Sequence, residues 1–506
     1  MTTVASPILS PSGEPFQREI HAVPSSRRFV RAGYEAAEDD NREKLHWSKA
    51  DLLGPRTAHN PLVRAKLRSR SRHETSNNSF ADCLLRTKSA YVVGEGPRVQ
   101  VLTDSRDYNQ LVEQLFHEWA DYIEFADKLR LMIYAMDGDG ESFGVFKQNL
   151  GASFTHPTRL DFEVAEAEVF SNPEYEHLNE ERIDDGIVTD DYGNVIAYKR
   201  YRRHPGDFYP MGAEEQAEVV RAEHVVHLFH ARRPGQMRGV PSITPALMLF
   251  PVLRRWTMAT LYAAETAAKF AGIFKTDQPP PTHDDGSHMD AYEAFDELHI
   301  EANTFMTLPH NVDAMQFRAE HPATTFPMLR REILTEIARC VVMPYNVAVG
   351  DSSAHNFASG KLDHLPFRRD NACRQKMASR RACEKAFDHF MAFGELAGML
   401  PPSPVGGPPR RKWLWPSDEP IDPREAGANL VKLQSGQATP TSLHAENGQD
   451  FEETVAAGAA DLGITADEYR ELIKNQIFTA PMAADAGAEG GGAEDDTEQG
   501  GNDGSA

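Results

Sequence analysis

The stretch EHVVHLFHARRPGQMRGVPSITPAL, from Glu223 to Leu247, marks a change in the structure that the sequence favours. Its first part, around His224 to Phe229, is rich in the β-branched and aromatic residues that predict a strand. Gly235 interrupts this pattern, and the residues beyond it favour a helix. A sheet-forming region therefore meets a helix-forming region here, which predicts an α+β protein.

The helix after this stretch has clear start signals. Thr244 is the expected N-cap, Pro245 occupies the expected first helical position, and helical composition continues to Phe270. Pro251 is expected to kink it, because proline removes a helical hydrogen bond. The later residues MATLYAAETAAKFAG are rich in alanine, which lets helices approach closely but is also simply the best helix former.

Upstream, the residues from Glu141 to His230 predict a mostly antiparallel β region. SFGVFKQ is expected to be a strand, and DGIVTDDYGNVIAYKRYR a hairpin that turns at Asp190–Asn194. Helical spacing of apolar residues predicts three helices before this region: Asn77 or Asn78 to Val93, Asp107 to Ala126, and Lys128 to Met136.

Downstream, residues 275–322 form a distinct Pro-rich insert with short strand-like pieces. A helix is predicted from Thr324 or Thr325 to Val342, with an apolar stripe of Leu329, Ile333, Leu334, Ile337, Ala338 and Val341. The remaining pieces are a polar loop from Tyr345 to Ser359, a long helix from Lys361 to Leu396, a linker from Pro401 to Pro409, and helices from Ile421 to Ile477.

Composition excludes several classes of protein. The 506 residues carry 53 Lys and Arg against 76 Asp and Glu, a net charge of −23, which argues against wrapping nucleic acid tightly. The four cysteines form no CxxC motif, so a disulfide scaffold is excluded and a structural zinc site is not expected. No secretory signal is expected at the start, and the longest apolar run, Pro245 to Leu253, is too short to cross a membrane, so we expect a soluble protein. Both ends are expected to be disordered.

A basic stretch of 17 residues contains no acid: Arg56, Arg64, Lys66, Arg68, Arg70 and Arg72. Read alone, the segment RAKLRSRSRHE is compatible with an arm that binds nucleic acid. A solvated helix face and a strip of salt bridges between subunits are the two other interpretations, and the sequence leaves all three open.

No constellation of residues predicts catalysis or metal binding. Asp137, Asp139 and Glu141 resemble the start of a calcium loop, but the required glycine and terminal acid are replaced by Ser142 and Gln148. His224, His227 and His230 alternate faces of a strand, and GDSS at Gly350 to Ser353 lacks the rest of a serine-nucleophile motif. No P-loop, dinucleotide-binding or zinc-protease motif occurs. We therefore expect a structural or binding protein without a cofactor, with a metal-dependent hydrolase or nuclease as the alternative.

Five ordered stretches resemble the lambda-type portal proteins of tailed bacteriophages. They are YEAAEDDNREKLHW, LRSRSRHETSNNSFADCLLRTKSAYVVGEG, DGIVTDDYGNVIAY, the opening stretch from Glu223 to Leu247, and MPYNVAVGDSSAHNFASGKL with the following FRRD. The stretch from Glu223 to Leu247 is the most specific of the five. The resemblance spans about Tyr34 to Leu396, and DPREAGAN with NGQDFEE extends it to about Glu453.

The resemblance implies a homo-oligomeric ring, usually of twelve subunits, at one capsid vertex. Double-stranded DNA enters and leaves through its centre without sequence-specific recognition. The implied partners are the large subunit of the terminase, the head–tail adaptor or neck proteins, and the major capsid and scaffold proteins, with no membrane. The implied location is the virion, and the host cytoplasm during assembly.

The same resemblance divides the chain into ten segments. They are a disordered N-terminal arm (1–33), a wing of helices and antiparallel strands (34–235), a first stem helix (236–274), a clip (275–322), a second stem helix (323–342), a tunnel loop (343–360), a long helix returning to the wing (361–400), a linker (401–420), a crown-like helical region (421–482) and a disordered acidic tail (483–506).

The resemblance also suggests site residues. Those expected at the DNA channel are Asn346, Asp351, Ser352, Ser353, His355, Asn356 and Lys361. Those expected to pack the stem helices of neighbouring subunits are Trp256, Thr260, Ala264, Ala267, Leu329, Ile333 and Ile337. Those expected on the clip for partner contact are Asp284, Asp285, His299, Glu301 and Phe305.

Charge in the second predicted stem helix bears on how DNA would move. Cations that line a channel grip phosphates and resist sliding, so a lumen with few bare cations lowers friction. Arg330, Arg331, Glu332, Glu336 and Arg339 flank the apolar stripe of this helix. We expect its exposed face to pair with the next subunit and to present few bare cations to the lumen.

Overall fold

A computed structural model of the chain describes residues 46–171, 183–207, 217–269, 273–276, 312–315, 325–353, 357–416, 423–446 and 448–479. The chain separates into two units, residues 1–54 and 55–506. The described part of the first unit contains a turn in which the Ala50 N–H donates to the Trp47 carbonyl (2.9 Å). The second unit holds all the described helices and strands.

The described residues contain fourteen α-helices. They are α1 (Pro55–Ala58), α2 (Pro61–Asn77), α3 (Ser79–Val93), α4 (Arg106–Tyr122), α5 (Phe125–Gly138), α6 (Leu249–Lys269), α7 (Thr325–Arg339), α8 (Tyr345–Val349), α9 (Phe357–Ala378), α10 (Glu384–Leu396), α11 (Pro423–Gln434), α12 (Pro440–Glu446), α13 (Phe451–Leu462) and α14 (Ala466–Thr479). A π-helical turn, Ser379–Cys383, joins α9 to α10. None of the described helices is apolar over a length that could cross a membrane.

Eleven strands among the described residues form four antiparallel sheets. They are β1 (Arg98–Val101), β2 (Glu141–Gln148), β3 (Leu160–Ala165), β4 (Ile183–Asp184), β5 (Ile187–Thr189), β6 (Val195–Tyr201), β7 (Ala217–Arg221), β8 (Val225–Phe229), β9 (Ile273–Thr276), β10 (Val312–Met315) and β11 (Arg411–Leu414). The sheet orders are β3-β2-β8, β4-β5-β6-β7, β1-β11 and β9-β10. The mixture of helices and antiparallel sheets confirms the predicted α+β class and the predicted β region between Glu141 and His230.

Local signals located the first helices well. The Asn78 side chain accepts from the Phe80 N–H (3.1 Å) and caps α3, as the sequence predicted. The predicted helix from Asp107 to Ala126 ends earlier, at Tyr122, because Glu124 takes a left-handed conformation (φ 54°) and α5 starts at Phe125. The hairpin between β5 and β6 is also confirmed, with Asp190 N–H donating to the Asn194 carbonyl (2.9 Å).

The helix after the opening stretch starts later than expected. Thr244 and Pro245 lie in a short 3₁₀ helix, Thr244–Ala246, and α6 begins at Leu249. Pro251 is therefore in the first turn of α6, where a missing N–H removes no helical hydrogen bond, so the predicted kink has no physical basis. Helix α7 ends at Arg339 rather than Val342, and Val342 itself has a left-handed φ of 55°.

Two segments predicted to be irregular contain regular structure. The loop predicted from Tyr345 to Ser359 includes α8 and the start of α9. The linker predicted at 401–420 includes β11, whose Leu414 pairs with Arg98 of β1. This strand of four residues is too short to show a two-residue hydrophobic period, and its partner lies some three hundred residues earlier in the chain.

Two hydrophobic clusters fix the helices around the sheets. Trp119 of α4 and Phe390 of α10 meet in the first cluster (ring centroids 5.5 Å apart), and the Trp119 indole N–H donates to the Leu160 carbonyl (2.9 Å). The second cluster joins α3, α6, α7 and α9 through buried side chains that include Leu85, Phe250, Ile337 and Phe367. The four C-terminal helices confirm the predicted helical end of the chain, and Asp450 at the start of α13 accepts from Gln100 of β1 (2.6 Å).

Candidate functional site

The sequence DGDGE from Asp137 to Glu141 connects α5 to β2 and places the carboxylates of Asp137 and Glu141 in the interior, with that of Asp139 partly buried. Gly140 has a φ of 97°, and a Cβ there would lie 2.4 Å from the backbone of Val240. A Cβ on Gly239 would lie 1.9 Å from the Gly140 carbonyl oxygen. Two glycines therefore allow the DGDGE turn and the segment before α6 to approach backbone to backbone.

Glu141 is the centre of the first ionic group, which we call the Glu141 cluster. Arg238 binds its carboxylate through two parallel hydrogen bonds, Nε to Oε2 and Nη2 to Oε1, both 2.8 Å long. Four more groups lie 3.1 Å from this carboxylate: the Arg64 and Arg68 guanidiniums, the His227 Nε2 and the Gly239 N–H. The paired, forked geometry of Arg238 is the strongest form of such a contact.

Glu141 is fully buried, and the charged groups around it set its pKa. Burial alone would raise the pKa of Glu141, but Arg238, His227 and Arg64 outweigh it and hold this pKa well below its usual range. Burial lowers the pKa of His227 to about 4, although Glu141 partly opposes the shift. His227 is therefore neutral at pH 7 and donates its Nε2 proton to the carboxylate.

Asp185 adds a second carboxylate to the Glu141 cluster. It forms ion pairs with Arg64 and with Arg238, the latter at 3.2 Å. Arg238 also donates to the Phe170 carbonyl at 2.9 Å. Since Asp185 lies in the turn between β4 and β5, the cluster ties the four-stranded sheet to α2, β2 and the segment before α6.

A second buried group, the Asp137 cluster, lies on the other side of the same turn. Asp137 accepts from Arg374 of α9 (2.6 Å) and from the Ser242 hydroxyl (2.5 Å). Arg374 also pairs with Asp370 (2.8 Å), and Lys88 of α3 donates to Asp370 at 2.7 Å. Burial lowers the pKa of Lys88 to about 8, helped by Arg374 and opposed by Asp370. This cluster fixes α9 against α3, α5 and the entry to α6.

The third carboxylate of the turn, that of Asp139, forms an ion pair with Arg72. The guanidinium donates to both carboxylate oxygens, at 2.9 and 2.7 Å, and also pairs with Glu166 and Glu168. Among the described residues, Glu166, Glu168 and His204 place ligand atoms within 4.8 Å of one another, close enough for a metal ion. Both glutamates already have arginine partners, because Arg72 pairs with Glu166 and Glu168, and Arg68 also pairs with Glu168.

These contacts account for several of the charged residues that the sequence singled out. The three carboxylates that resembled a calcium loop bind arginines. Half of the basic stretch is engaged within its own chain, because Arg64, Arg68 and Arg72 point into it at a spacing of four residues. Lys66 and Arg70, on the other side of α2, are exposed. The three histidines do not converge: His227 is in the Glu141 cluster, whereas His224 stacks on His389 (5.1 Å).

The described residues expected at the channel lie in α8, in the segment just after it and in the first turns of α9. Asn346 is in α8 and contacts His364 of α9 (3.1 Å), and Asp351 accepts from the Ser353 N–H (3.0 Å). Ser352 and Ser353 are exposed, as is Lys361 in the first turns of α9. His355 and Asn356 lie outside the described residues.

Four of the residues expected to pack between subunits have contacts within their own chain. Ile337 is only 2% exposed, and Ile333 and Trp256 pack against the same hydrophobic cluster. Thr260 is half-buried, and its hydroxyl donates to the Trp256 carbonyl of its own helix (2.9 Å). These four side chains therefore have partners inside one copy of the chain.

The other expected contact residues have different positions. Ala264 and Leu329 are exposed, with Leu329 at 47%. The side chain of Ala267 lies outside the described residues. So do all five residues expected on the clip: Asp284, Asp285, His299, Glu301 and Phe305.

Sequence reasoning did not single out Arg238, Arg374 or Lys88, which hold the two clusters together. Lys88 carried a usable signal, because it falls on the apolar stripe of α3 with Leu84 and Leu85. A lysine on a buried stripe requires a carboxylate partner. Arg238 and Arg374 show no comparable local pattern.

Comparison with known proteins identifies the family of the chain. The sequence model described as "Phage portal protein, lambda family" matches residues 41–375. The "Probable portal protein" of Halomonas phage phiHAP-1 is 25% identical over 392 residues, covering 71% of this chain and 72% of that protein. A chain in the virion of a gene transfer agent aligns with 11% identity and a TM-score of 0.45, over 76% of this chain and 93% of that one. A chain from the neck of such a particle aligns with 13% identity and a TM-score of 0.41, over 77% and 94%. The chain therefore belongs to the lambda family of phage portal proteins.

Proposed function

We propose that the chain is a portal subunit that assembles into a ring of twelve at one capsid vertex, through which double-stranded DNA is packaged and ejected. Family membership assigns the portal, or head-to-tail connector, role. The proposal adds the ring, its channel and the parts of the chain that build them. Neither catalysis nor a cofactor is required of the subunit, because its task is to form a passage and to dock other proteins.

The arrangement of α6, α7 and the strands between them carries this proposal. Trp256 of α6 packs on Phe326 of α7 with ring centroids 4.7 Å apart. Strand β9 follows α6, β10 precedes α7, and the two strands pair antiparallel, with Ile273 opposite Met315. The chain thus leaves through one helix and returns through the other, which supports a stem of two helices and a clip between them.

Exposed apolar side chains on the same helices support assembly. Leu261 and Tyr262 of α6 are each 58% exposed, and Met328 of α7 is 69% exposed. A row of large apolar side chains in water is costly unless another surface covers it. A second copy of the chain is the partner that we propose, with contacts through these residues and through Ala264 and Leu329 rather than through Ile337.

The cations of α7 bear on the proposed channel. The Arg330 guanidinium lies 5.4 Å from the centre of the Phe80 ring, and the Arg331 guanidinium lies 4.8 Å from the centre of the Tyr345 ring. Cations held on aromatic faces are less available to phosphates. These contacts support the expectation that α7 offers few bare cations to DNA.

The partners follow from the same proposal. The terminase large subunit would dock during packaging, and head–tail adaptor or neck proteins would dock afterwards. The major capsid and scaffold proteins would surround the ring. The subunit would reside in the virion at one vertex, after a period in the host cytoplasm during assembly.

Particle mass and shape test the proposal directly. We expect light scattering on the purified full-length chain to give a mass near twelve subunits, and negative-stain images to show rings with a hole of roughly 20 Å, wide enough for duplex DNA. If the chain is monomeric alone, it is co-expressed with capsid and scaffold proteins and imaged again. A compact dimer, or a monomer under both conditions, would contradict the proposal.

A further inference from the structure

Val342, three residues after the end of α7, has a backbone conformation that valine rarely adopts. Its φ is 55°, and of the four described residues other than glycine with a positive φ it is the only one with a β-branched side chain. The branched Cβ is crowded by the backbone in this left-handed region, so the conformation costs free energy. Val342 is half-buried and is not among the described side chains that form or pack against the second hydrophobic cluster, so packing there does not offset the cost.

The hydrogen bonds around Val342 show how this conformation is held. The Val342 N–H donates to the Arg339 carbonyl and the Met343 N–H donates to the Ala338 carbonyl, both at 3.1 Å. This pair of bonds ends a helix in a pattern that normally has glycine at the left-handed position. Met343 is 1% exposed, and the burial of its side chain stabilises the turn. The end of α7 is therefore strained at one residue and anchored by the next.

The sequence offers a relaxed alternative to this turn. With a right-handed φ at Val342, α7 would continue from Arg339 through Val342, which is the helix end that the sequence predicts. Pro344 disfavours a helical conformation at Met343, so the extension would stop there. Met343 and the helix α8 that follows would then leave their present positions. The strain at Val342 reduces the difference in free energy between the two arrangements.

Helix α8 is weakly held and has a left-handed residue on each side. It has five residues, of which only Ala348 is buried, and a helix this short is not stable without tertiary contacts. At its far end Gly350 has a φ of 73°, and a Cβ there would meet no atom within 4 Å. Val342 and Gly350 are therefore two pivots between which α8 can move as one piece.

The position of α8 affects the two helices that we assign to the stem. Tyr345, Val347 and Val349 of α8 pack against the second hydrophobic cluster. The same cluster contains Phe250 of α6 and Ile337 of α7. With α8 in place, both helices share one covered core. With α8 detached, part of this core would be exposed to water, and α6 and α7 would lose a common support.

We propose that Val342 is a strained hinge through which α8 detaches from the second hydrophobic cluster and returns to it, and that the return makes the subunit competent to assemble. The inference rests on the proposed function, because a ring needs α6 and α7 held at one angle. The strain keeps a fraction of free subunits open and so opposes premature assembly. A neighbouring subunit shifts the equilibrium, since it binds the closed form better.

Glycine and alanine at position 342 test the hinge, because both remove the valine methyl groups and only glycine adopts a left-handed φ without strain. We expect the amides of Ala348 and Gly350 to exchange with deuterium about tenfold more slowly in V342G than in V342A. Both N–H groups donate to carbonyls of the same segment, so their exchange reports its opening. Amides around Phe367 in α9 should exchange equally in the two variants. Mass spectrometry of peptides from the full-length chain measures all of these rates.

A second pair of variants, V431G and V431A, is the matched control. Val431 is 40% exposed within the ordinary helix α11, where glycine weakens the helix relative to alanine. We therefore expect the opposite order: the amides of α11 should exchange faster in V431G than in V431A.

Assembly of the position-342 variants tests the regulatory role. More subunits of V342G are closed at any moment, so we expect V342G to form rings at a several-fold lower protein concentration than V342A. Mass photometry over a dilution series of the full-length proteins measures the difference.

Three outcomes would overturn the proposal. The first is exchange of α8 that is equal or faster in V342G, which would show that position 342 is not left-handed in solution. The second is exchange of α8 in V342A as slow as that around Phe367, because α8 would then open only when the subunit unfolds. The third is equal concentrations for ring formation despite different exchange of α8. If even the wild type forms no rings with capsid and scaffold proteins, the proposed function fails with the assembly role, whereas the exchange rates still decide whether the hinge exists.

Discussion

At the scale of single residues, Glu141 is the side chain on which most other buried charges depend. It accepts from Arg238, Arg64 and Arg68 inside the protein, where no water can replace it. Removing one partner of a buried ionic group leaves the others uncompensated, which costs far more than the group contributes when intact. The cluster is therefore a point where one substitution should affect the whole subunit.

We expect Glu141→Gln to lower the free energy of unfolding by about 3–5 kcal/mol, because the amide keeps the shape of the side chain but leaves three guanidiniums without their shared charge. Urea denaturation followed by tryptophan fluorescence measures the change. Glu95→Gln, which replaces an exposed glutamate, is the control and should change stability by less than about 0.5 kcal/mol. Similar values for the two variants would contradict the role given to the cluster.

His227 makes stability depend on pH. Its pKa is about 4 in the folded chain against about 6.5 when unfolded, so the unfolded state binds the proton more readily between these values. Stability from this group is fully present above pH 6.5 and is lost as the pH falls toward 4, in total on the order of 3 kcal/mol. The lowered pKa of Glu141 adds acid sensitivity below its ordinary value.

We therefore expect the melting temperature of the wild type to fall from about pH 7 to about pH 4.5, and His227→Gln to reduce this slope while lowering stability at neutral pH. Differential scanning fluorimetry at closely spaced pH values measures both effects. His73→Gln, on an exposed position of α2, should leave the slope unchanged. An unaltered slope in His227→Gln would show that other groups control the acid response.

At this scale the sequence identified charged residues on helix faces but not their partners, for a physical reason. The spacing of Arg64, Arg68 and Arg72 already placed them on one face of a helix, and Lys88 already stood on an apolar stripe. Neither pattern identifies a partner, because Glu141 and Asp370 are brought there by tertiary contacts. The carboxylates of DGDGE accordingly resemble only an incomplete calcium loop in the sequence, although all three are bound by arginines.

At the scale of elements, the contact between the DGDGE turn and the segment before α6 is decided by two glycines. We expect Gly239→Ala to lower the free energy of unfolding by about 3 kcal/mol or more, since its Cβ would lie 1.9 Å from the Gly140 carbonyl oxygen. Backbone atoms cannot move aside to relieve this clash, whereas a flexible side chain could. Thermal and urea unfolding measure the decrease.

Gly427→Ala is the matched control for Gly239→Ala. Gly427 lies in α11 with no atom within 4 Å of the added methyl group, so the substitution should stabilise the chain by about 0.5–1 kcal/mol through helix propensity. If Gly239→Ala were as stable as Gly427→Ala, the close approach of the two backbones would not exist in solution.

Elements with strong local signals could be predicted, and those made by distant pairing could not. The Asn78 cap, the hairpin at Asp190–Asn194 and the helical end of the chain all carry their signals within a few residues. Strand β11 has only four residues and exists because β1 offers it a partner. Helix α8 is a single turn between Pro344 and Gly350, a length at which helical periodicity cannot be read.

At the scale of the whole molecule, the two clusters and the exposed faces have complementary roles. The Asp137 cluster binds α9 and the segment before α6 to the same turn, so the entry to the proposed first stem helix is fixed against the β region. Exposed side chains on these helices remain uncovered in a single subunit: apolar ones on α6 and α7, and both cations and leucines on α9. A ring subunit needs a rigid framework with exposed faces that can bind its neighbours, because every pair of neighbouring subunits must meet at the same angle.

Leu261→Asp tests whether the apolar face of α6 joins the subunits. A carboxylate in a desolvated interface has no partner there, so we expect the variant to need about tenfold or more protein to form rings, while its melting temperature as a monomer stays close to that of the wild type. Mass photometry over a dilution series measures the assembly. Leu150→Asp is the control: Leu150 is 78% exposed in the loop after β2, and its substitution should leave assembly unchanged. Rings that form equally well from Leu261→Asp would place the contact between subunits on another surface, because a charged side chain at a shared interface cannot be neutral to the subunits that bury it.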